Sequence, residues 1–227
     1  MTTSYTYSRS RGTSEGYVSS NNDQTDPGVT SEFDFGSGSD GSYGQTPNER
    51  THSLKVFGTY NVTDVFSIGM NASLVSGRPK SCLGNVPIPG TPNAAFDYYG
   101  ADGTTKGGSG SYGYSYYCLN GQFAPDTRNP SKMLAQSSLV PRGSVGNLPW
   151  TKNFDISLTY KIPVEKSFVT LSATIYNLFN FDAPQTIDEF KDYSIATQAA
   201  GRVNLNYGLP TSYQSPRSAR VSARYDF

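Results

Sequence analysis

The stretch RTHSLKVFGTYNVTDVFSIGMNASL, positions 50–74, decides how the rest of the chain is read. From Leu54 the even positions run Leu54, Val56, Gly58, Tyr60 and Val62, while Ser53, Lys55, Thr59 and Asn61 between them are polar, Phe57 being the exception. After a short turn at 61–64 the alternation resumes. Phe66, Ile68, Met70, Ala72 and Leu74 then oppose Ser67, Gly69, Asn71 and Ser73. Strict period two over ten residues puts one side-chain set on each face of an extended strand. The segment predicts two antiparallel strands joined by a tight turn.

The same pattern recurs outward in both directions. Phe154, Ile156, Leu158 and Tyr160 alternate with Asn153, Asp155, Ser157 and Thr159, and a tight turn is expected at 163–166. Val169, Leu171, Ala173 and Ile175 follow against Thr170, Ser172 and Thr174. The chain closes with Ala219, Val221, Ala223, Tyr225 and Phe227 against Arg220, Ser222, Arg224 and Asp226. A shorter example at 4–11, with Tyr5 and Tyr7 on one face, opens it. This makes about six strands in an all-β, antiparallel up-and-down meander.

Connections between these strands alternate in length. Segments 12–49, 77–147 and 180–213 are long, while the other two are a few residues each. A sheet with tight turns on one rim and loops on the other, built from strands of about ten residues, is the arrangement of an outer-membrane barrel. A soluble sandwich alternates too, but its apolar face must pack on a second sheet and its loops are seldom so long. Tyr60, Phe66, Trp150, Tyr160 and Phe168 sit near strand ends, where interfacial aromatic girdles would lie; capping the edge of a soluble core is the alternative.

Composition narrows the function classes. The 227 residues carry 18 basic and 18 acidic side chains, so the basic excess of a nucleic-acid binder is missing. No apolar run of about 18 residues exists to form a transmembrane helix. The first residues, MTTSYTYSRSRG, lack the apolar core of a signal peptide, so any export signal is expected outside this sequence. With one His, His52, and two Cys, Cys82 and Cys118, no familiar metal-ligand spacing is available. His52 sits on a strand with no partner in view, and neither Cys has an activating context, so the expectation is no enzyme and no catalytic residue. The two Cys, in one Gly/Tyr/Pro-rich segment, read as a disulfide formed in an oxidising compartment; two unpaired thiols are the alternative.

Several motifs resemble a known family. PNERTHSLKVFGTY (47–60), SGRPKSCLG (76–84), PRGSVGNLPW (141–150), FDISLTYKIP (154–163), IYNLFNF (175–181) and YGLPTSYQSPRSARVSARYDF (207–227) together resemble the C-terminal barrel of TonB-dependent outer-membrane receptors of the Oar-like subgroup, from EGYVSSNNDQTDPG (15–28) onward. The final alternation through Tyr225 to Phe227 is similar to the signal by which the outer-membrane barrel assembly machinery recognises its clients. The resemblance implies a transmembrane β-barrel of about 22 strands, a plug inside it, and ligand uptake energised by the TonB complex, in the outer membrane of a Gram-negative bacterium. This sequence shows neither the plug nor a TonB-contacting box. Six strands cannot close around a lumen, so the chain is expected to be the C-terminal part of a larger receptor.

The resemblance also orients the chain. A last strand ending in the periplasm at Phe227 makes the exit near Gly77 extracellular, along with the loops 12–49, 77–147 and 180–213. Phe96, Tyr98, Tyr99, Tyr112, Tyr114, Tyr116 and Tyr117, dense among glycines, are then candidates to contact an unknown ligand, Tyr giving much contact area at low entropic cost. A self-packed lid is the alternative reading. Asn21, Asn22, Asp23, Asp26, Asp34 and Asp40 invite a calcium site in 12–49, although their spacing matches no EF-hand and such residues also serve turns; no other cofactor is expected. LVPRGS at 139–144 spells a thrombin site but fits the family-like pattern into the fourth strand, and is read as native. Arg220, Arg224, Asp155 and Asp226 are expected to face the lumen. The contrasting functional reading is a surface adhesion or scaffold barrel that binds partners through its Tyr-rich loops without transport.

Overall fold

A computed structural model describes residues 1–21, 25, 39–84, 115–126, 129–165, 167–191 and 204–226. Its strands are β1 (Thr2–Tyr7), β2 (Arg11–Gly12), β3 (Gly44–Gln45), β4 (His52–Asn61), β5 (Phe66–Val75), β6 (Tyr117–Asp126), β7 (Asn129–Leu139), β8 (Thr151–Val164), β9 (Ser167–Tyr176), β10 (Pro184–Ile187), β11 (Pro210–Tyr213) and β12 (Ser218–Asp226). The main sheet has six strands in the order β1-β4-β5-β8-β9-β12, every pair antiparallel. This is the meander expected from the alternation. The pairs β2–β3, β6–β7 and β10–β11 are separate two-stranded sheets within the long connections.

Register carries the sequence pattern across the whole sheet. Leu54 pairs with Leu74, Val56 with Ala72 and Tyr60 with Ile68. Ile68 pairs in turn with Leu158, and Met70 with Ile156. Leu158 meets Ala173, which meets Val221. Because cross-strand partners share a face, all these alternations merge into one continuous apolar surface. The opposite surface carries Asn71 beside Asp155, Ser157 beside Thr174, and Arg220 and Arg224 beside Thr174 and Thr170.

Neither surface is covered. None of the six main-sheet strands contributes to the buried apolar residues, which are Cys82, Leu83, Tyr116, Cys118, Leu119 and Leu148. Leu158 and Leu171 in mid-sheet are each 41% exposed and Val221 on the edge strand is 80% exposed. In water such a face would be a large liability. Against hydrocarbon it is the favourable arrangement, and the ten-residue strands β4, β5 and β9 have the length of a tilted crossing. Among the described residues no helix is long and apolar enough to cross a membrane.

Turn chemistry explains the short rim. Between β4 and β5, Thr63 caps the turn: its Oγ1 accepts from the Phe66 amide at 3.0 Å, while the Val62 amide donates to the Phe66 carbonyl at 2.9 Å. Val164 pairs with Ser167, which shortens the expected 163–166 turn to two residues, and Glu165 there takes φ 50°. The first strand is shifted relative to its sequence reading and ends at Tyr7, not Arg11. The cause is competition for the backbone at Ser10, whose amide donates to the Glu49 carboxylate (3.1 Å) and whose carbonyl accepts from the Thr46 amide (3.0 Å). The chain there leaves β4 and pairs through β2 with β3.

Candidate functional site

The three long connections leave the sheet at the same rim and are laced into one cap. Cys82 and Cys118 form a disulfide with Cα atoms 5.7 Å apart, as the sequence suggested. The segment through Leu83 is stitched on both sides. The Leu83 amide donates to the Glu189 carbonyl and its own carbonyl accepts from the Lys191 amide, each at 2.8 Å, while Gly84 and Ser115 exchange backbone bonds. Below it, the Lys80 amide donates to the Gly146 carbonyl and the Leu148 amide to that of Arg78 (2.7 and 2.9 Å), and the Arg142 amide donates to the Gly41 carbonyl (2.8 Å). Backbone pairing of this density needs close approach. A Cβ on Gly77 would lie 1.8 Å from the Leu148 carbonyl oxygen, and one on Gly44 2.1 Å from that of Arg142, so only glycine fits either position.

At the centre of the cap is a charged pair that the sequence reading missed. Arg78 Nη1 lies 3.2 Å from Glu189 Oε1, with the Glu189 side chain fully enclosed. Arg78 Nε also donates to the Gln185 carbonyl at 3.3 Å. Glu189 accepts further from the Ser81 amide (3.3 Å) and from Asn21 Nδ2. Burial lifts the Glu189 pKa above its ordinary value of 4.5, an effect that the Arg78 charge and these hydrogen bonds oppose without cancelling. No periodic signal marks residues 78 and 189, because the pair forms between two loops. SGRPKSCLG does contain Gly77 and Arg78, but its role emerges only from the contact.

The aromatic candidates separate. Phe96, Tyr98, Tyr99, Tyr112 and Tyr114 lie outside the described residues. Tyr116 is fully buried against Leu83, with Phe190 packed on that pair and the Arg142 guanidinium 5.3 Å from its ring centroid. Its ring is core and presents no surface. The Tyr117 hydroxyl donates to Asp40 at 2.9 Å, and its pKa is raised, by burial first and by that bond second. Asn21 is thus engaged with Glu189 and Asp40 with Tyr117, while Asn22, Asp23, Asp26 and Asp34 lie outside the described residues. Among the described residues no group of three or more His, Cys, Asp or Glu could hold a metal ion.

Segment 139–144 is built into this cap. Arg142 is 2% exposed and its Nη2 donates to the Thr13 carbonyl at 3.0 Å, while the Gly143 amide donates to Ser81 Oγ at 3.0 Å. Arg142 thus pins two of the long connections together.

On the sheet, Asp155 accepts from Asn71 Nδ2 (2.9 Å), Asn153 Nδ2 (2.8 Å) and the Asn177 amide (2.9 Å), forming a polar row on the face opposite the apolar one. Arg220 and Arg224 share that face by register, and Asp226 pairs there with Phe168. Phe168 is therefore placed on the polar face, unlike the other aromatic residues near strand ends. Tyr225 pairs with Val169 on the apolar face, and Phe227 lies outside the described residues. At the tight-turn rim Phe66 and Tyr160 stand with ring centroids 6.5 Å apart. At the cap rim His52, which the sequence left without a partner, stacks on Trp150 at 5.8 Å and 13° and accepts from or donates to the Tyr5 hydroxyl through Nδ1 at 2.9 Å.

No protein-family model matches the chain, and no solved structure does. Among curated proteins, the TonB-dependent transporter Oar of Myxococcus xanthus is 26% identical over 256 aligned residues. That alignment takes in 98% of this chain and 20% of the transporter, so the chain spans about a fifth of its relative's length. An all-β chain with a six-stranded meander, a disulfide-bonded cap and an uncovered apolar face is thus similar, over nearly its full length, to part of a TonB-dependent transporter.

Proposed function

We propose that this chain is the C-terminal wall of a TonB-dependent outer-membrane receptor barrel, working in energised ligand uptake. The observation that carries the reading is the single continuous apolar face of the meander, uncovered on every strand. The likeness to Oar supports it. In this reading the apolar face meets the lipid bilayer, and the polar row around Asp155 faces the lumen. The cap stands outside the cell, where an incoming ligand first meets the protein. The barrel closes with about sixteen further strands, since an open sheet leaves unpaired backbone at its edges that hydrocarbon does not tolerate. The partners are the TonB complex, acting through a plug, and the barrel assembly machinery, acting through Tyr225 and Phe227.

The test is genetic. In the source bacterium, loss of this gene and loss of TonB should give the same uptake or growth defect, with no additive effect in the double mutant. A phenotype of the gene that persists unchanged without TonB would replace transport by surface adhesion.

A further inference from the structure

The odd positions of β1 continue past the end of the sheet into cations. Tyr5 and Tyr7 stand on the apolar face by register with Leu54 and His52. Two residues on, the Arg9 guanidinium lies 5.7 Å from the Tyr7 ring centroid, and Arg11 is exposed in β2. Arg50 precedes His52 by two on the neighbouring strand's extension, where burial and the Arg78 charge hold its pKa below the ordinary value. Below Arg9 lies a ring cluster. His52 stacks on Trp150 and stands 5.4 Å from Tyr7, while Tyr5, Tyr7 and Trp150 are 61%, 53% and 42% exposed.

Neither Arg9 nor Arg11 has a carboxylate partner among the described residues. The nearby Glu49 is buried and occupied by the Ser10 amide, Gln45 Nε2 and Thr51 Oγ1. The patch is therefore amphiphilic in one direction: exposed rings toward the middle of the sheet, unmet positive charge at the rim. Rings of this kind settle at the boundary between hydrocarbon and head groups. Guanidinium groups take phosphate by paired hydrogen bonds.

We propose that Arg9, Arg11 and Arg50, set over Tyr5, Tyr7, His52 and Trp150, form a binding site for the head group of a phosphate-bearing membrane lipid. The site rests on the reading that the apolar face meets lipid. Its rings lie along the glycerol and upper acyl region while the arginines hold the phosphate, anchoring this rim at the membrane surface.

Trp150 is the chain's single tryptophan and reports on the site directly. The whole barrel carrying this chain, with any tryptophan outside the chain replaced by phenylalanine, is folded in dodecyl maltoside micelles doped with either phosphatidic acid or diacylglycerol, and Trp150 emission is followed. Phosphatidic acid is expected to saturate the change at a concentration about ten-fold below any effect of diacylglycerol, and Arg9→Gln/Arg11→Gln to raise that midpoint about ten-fold. Arg9→Gln alone, at an exposed position, serves where circular dichroism shows the double variant poorly folded, with a shift of about three-fold. An equal response to both lipids, an unshifted midpoint in the variants, or full displacement by an equal concentration of inorganic phosphate would overturn the site. Neutral phosphatidylcholine vesicles with brominated acyl chains test the underlying reading separately. Quenching of Trp150 there without a phosphatidic acid preference overturns the lipid site alone, and absence of quenching overturns both.

Discussion

Arg78 and Glu189, 3.2 Å apart inside the cap, tie the connection after β5 to the connection after β9, and they do so out of reach of water. A buried ion pair adds little net stability over an apolar replacement, but losing one partner strands the other's charge. Glu189→Ala is expected to destabilise the cap by about 3–5 kcal/mol, and Arg78→Met/Glu189→Leu to recover most of that loss. Hydrogen exchange of the amides of Leu83, Arg142 and Leu148 would read both. A double variant no better than the single one would show that the pair's hydrogen bonds, not its charges, hold the loops.

The same carboxylate gives the cap a pH dependence of defined sign. Its folded pKa is raised, so the stability it contributes is fully present below the unfolded value near 4.5 and is lost as pH rises through the folded value. Cap amides are thus expected to become less protected as pH rises above about 4.5, after correction for intrinsic exchange, in the wild type. Glu189→Gln should abolish that slope. A wild-type cap that loosens on acidification through this group would contradict the burial argument.

Register assigns opposite fates to neighbours on β8. Leu158 shares the apolar face with Ile68 and Ala173, whereas Thr159 shares the polar face with Ser67 and Ser172. Leu158→Arg is expected to cost about 2–4 kcal/mol of membrane insertion, being near mid-strand, and Thr159→Arg under about 1 kcal/mol. Urea unfolding of the protein from phospholipid vesicles gives both numbers. Equal costs would remove the distinction between the faces.

Thrombin supplies a structural probe at Arg142, because that side chain is buried and its backbone amide is bonded to Gly41. Cleavage after Arg142 is expected to be slow in the intact protein and to accelerate at least about ten-fold in Cys82→Ser/Cys118→Ser, since the disulfide constrains the cap by about 3–4 kcal/mol in the chain-entropy view. Band intensities over a digestion time course decide it.

Gly77 allows no side chain toward Leu148. Gly77→Ala is expected to cost the cap about 1–3 kcal/mol through overpacking against backbone. The β4–β5 hairpin just before it should keep its exchange protection. The comparison of exchange in 53–75 and 79–84 separates the two regions.

The sheet was legible from the sequence because every strand pays attention to one rule, period-two alternation, and that rule is local. Leu54, Ile68, Leu158, Ala173 and Val221 each declare their face within their own strand, and pairing only joins the declarations. The cap was not legible, for the opposite reason. Arg78, Glu189, Arg142 and Tyr116 acquire their roles from partners in other loops, so nothing adjacent to them in sequence announces burial or charge pairing. The Cys82–Cys118 bond was the exception, since two Cys admit one pairing. Tyr116 shows why composition alone leaves a loop open: a Tyr among Tyr and Gly suits ligand contact and self-packing equally, and this one is packed inside.

The unbroken register from β4 through β12 has a consequence for how this protein can diverge. Inserting one residue into β8 would swap Leu158 and Thr159 between the apolar and the polar face, together with everything beyond them on that strand. Deletions do the same. Substitutions within a face are cheap by comparison, since one face asks only for an apolar side chain and the other only for a polar one. A lineage under this constraint can drift far in residue identity while its strand lengths stay fixed. Nearly all of its growth and shrinkage is then confined to the connections that leave the cap rim, which are the parts able to change what the protein meets.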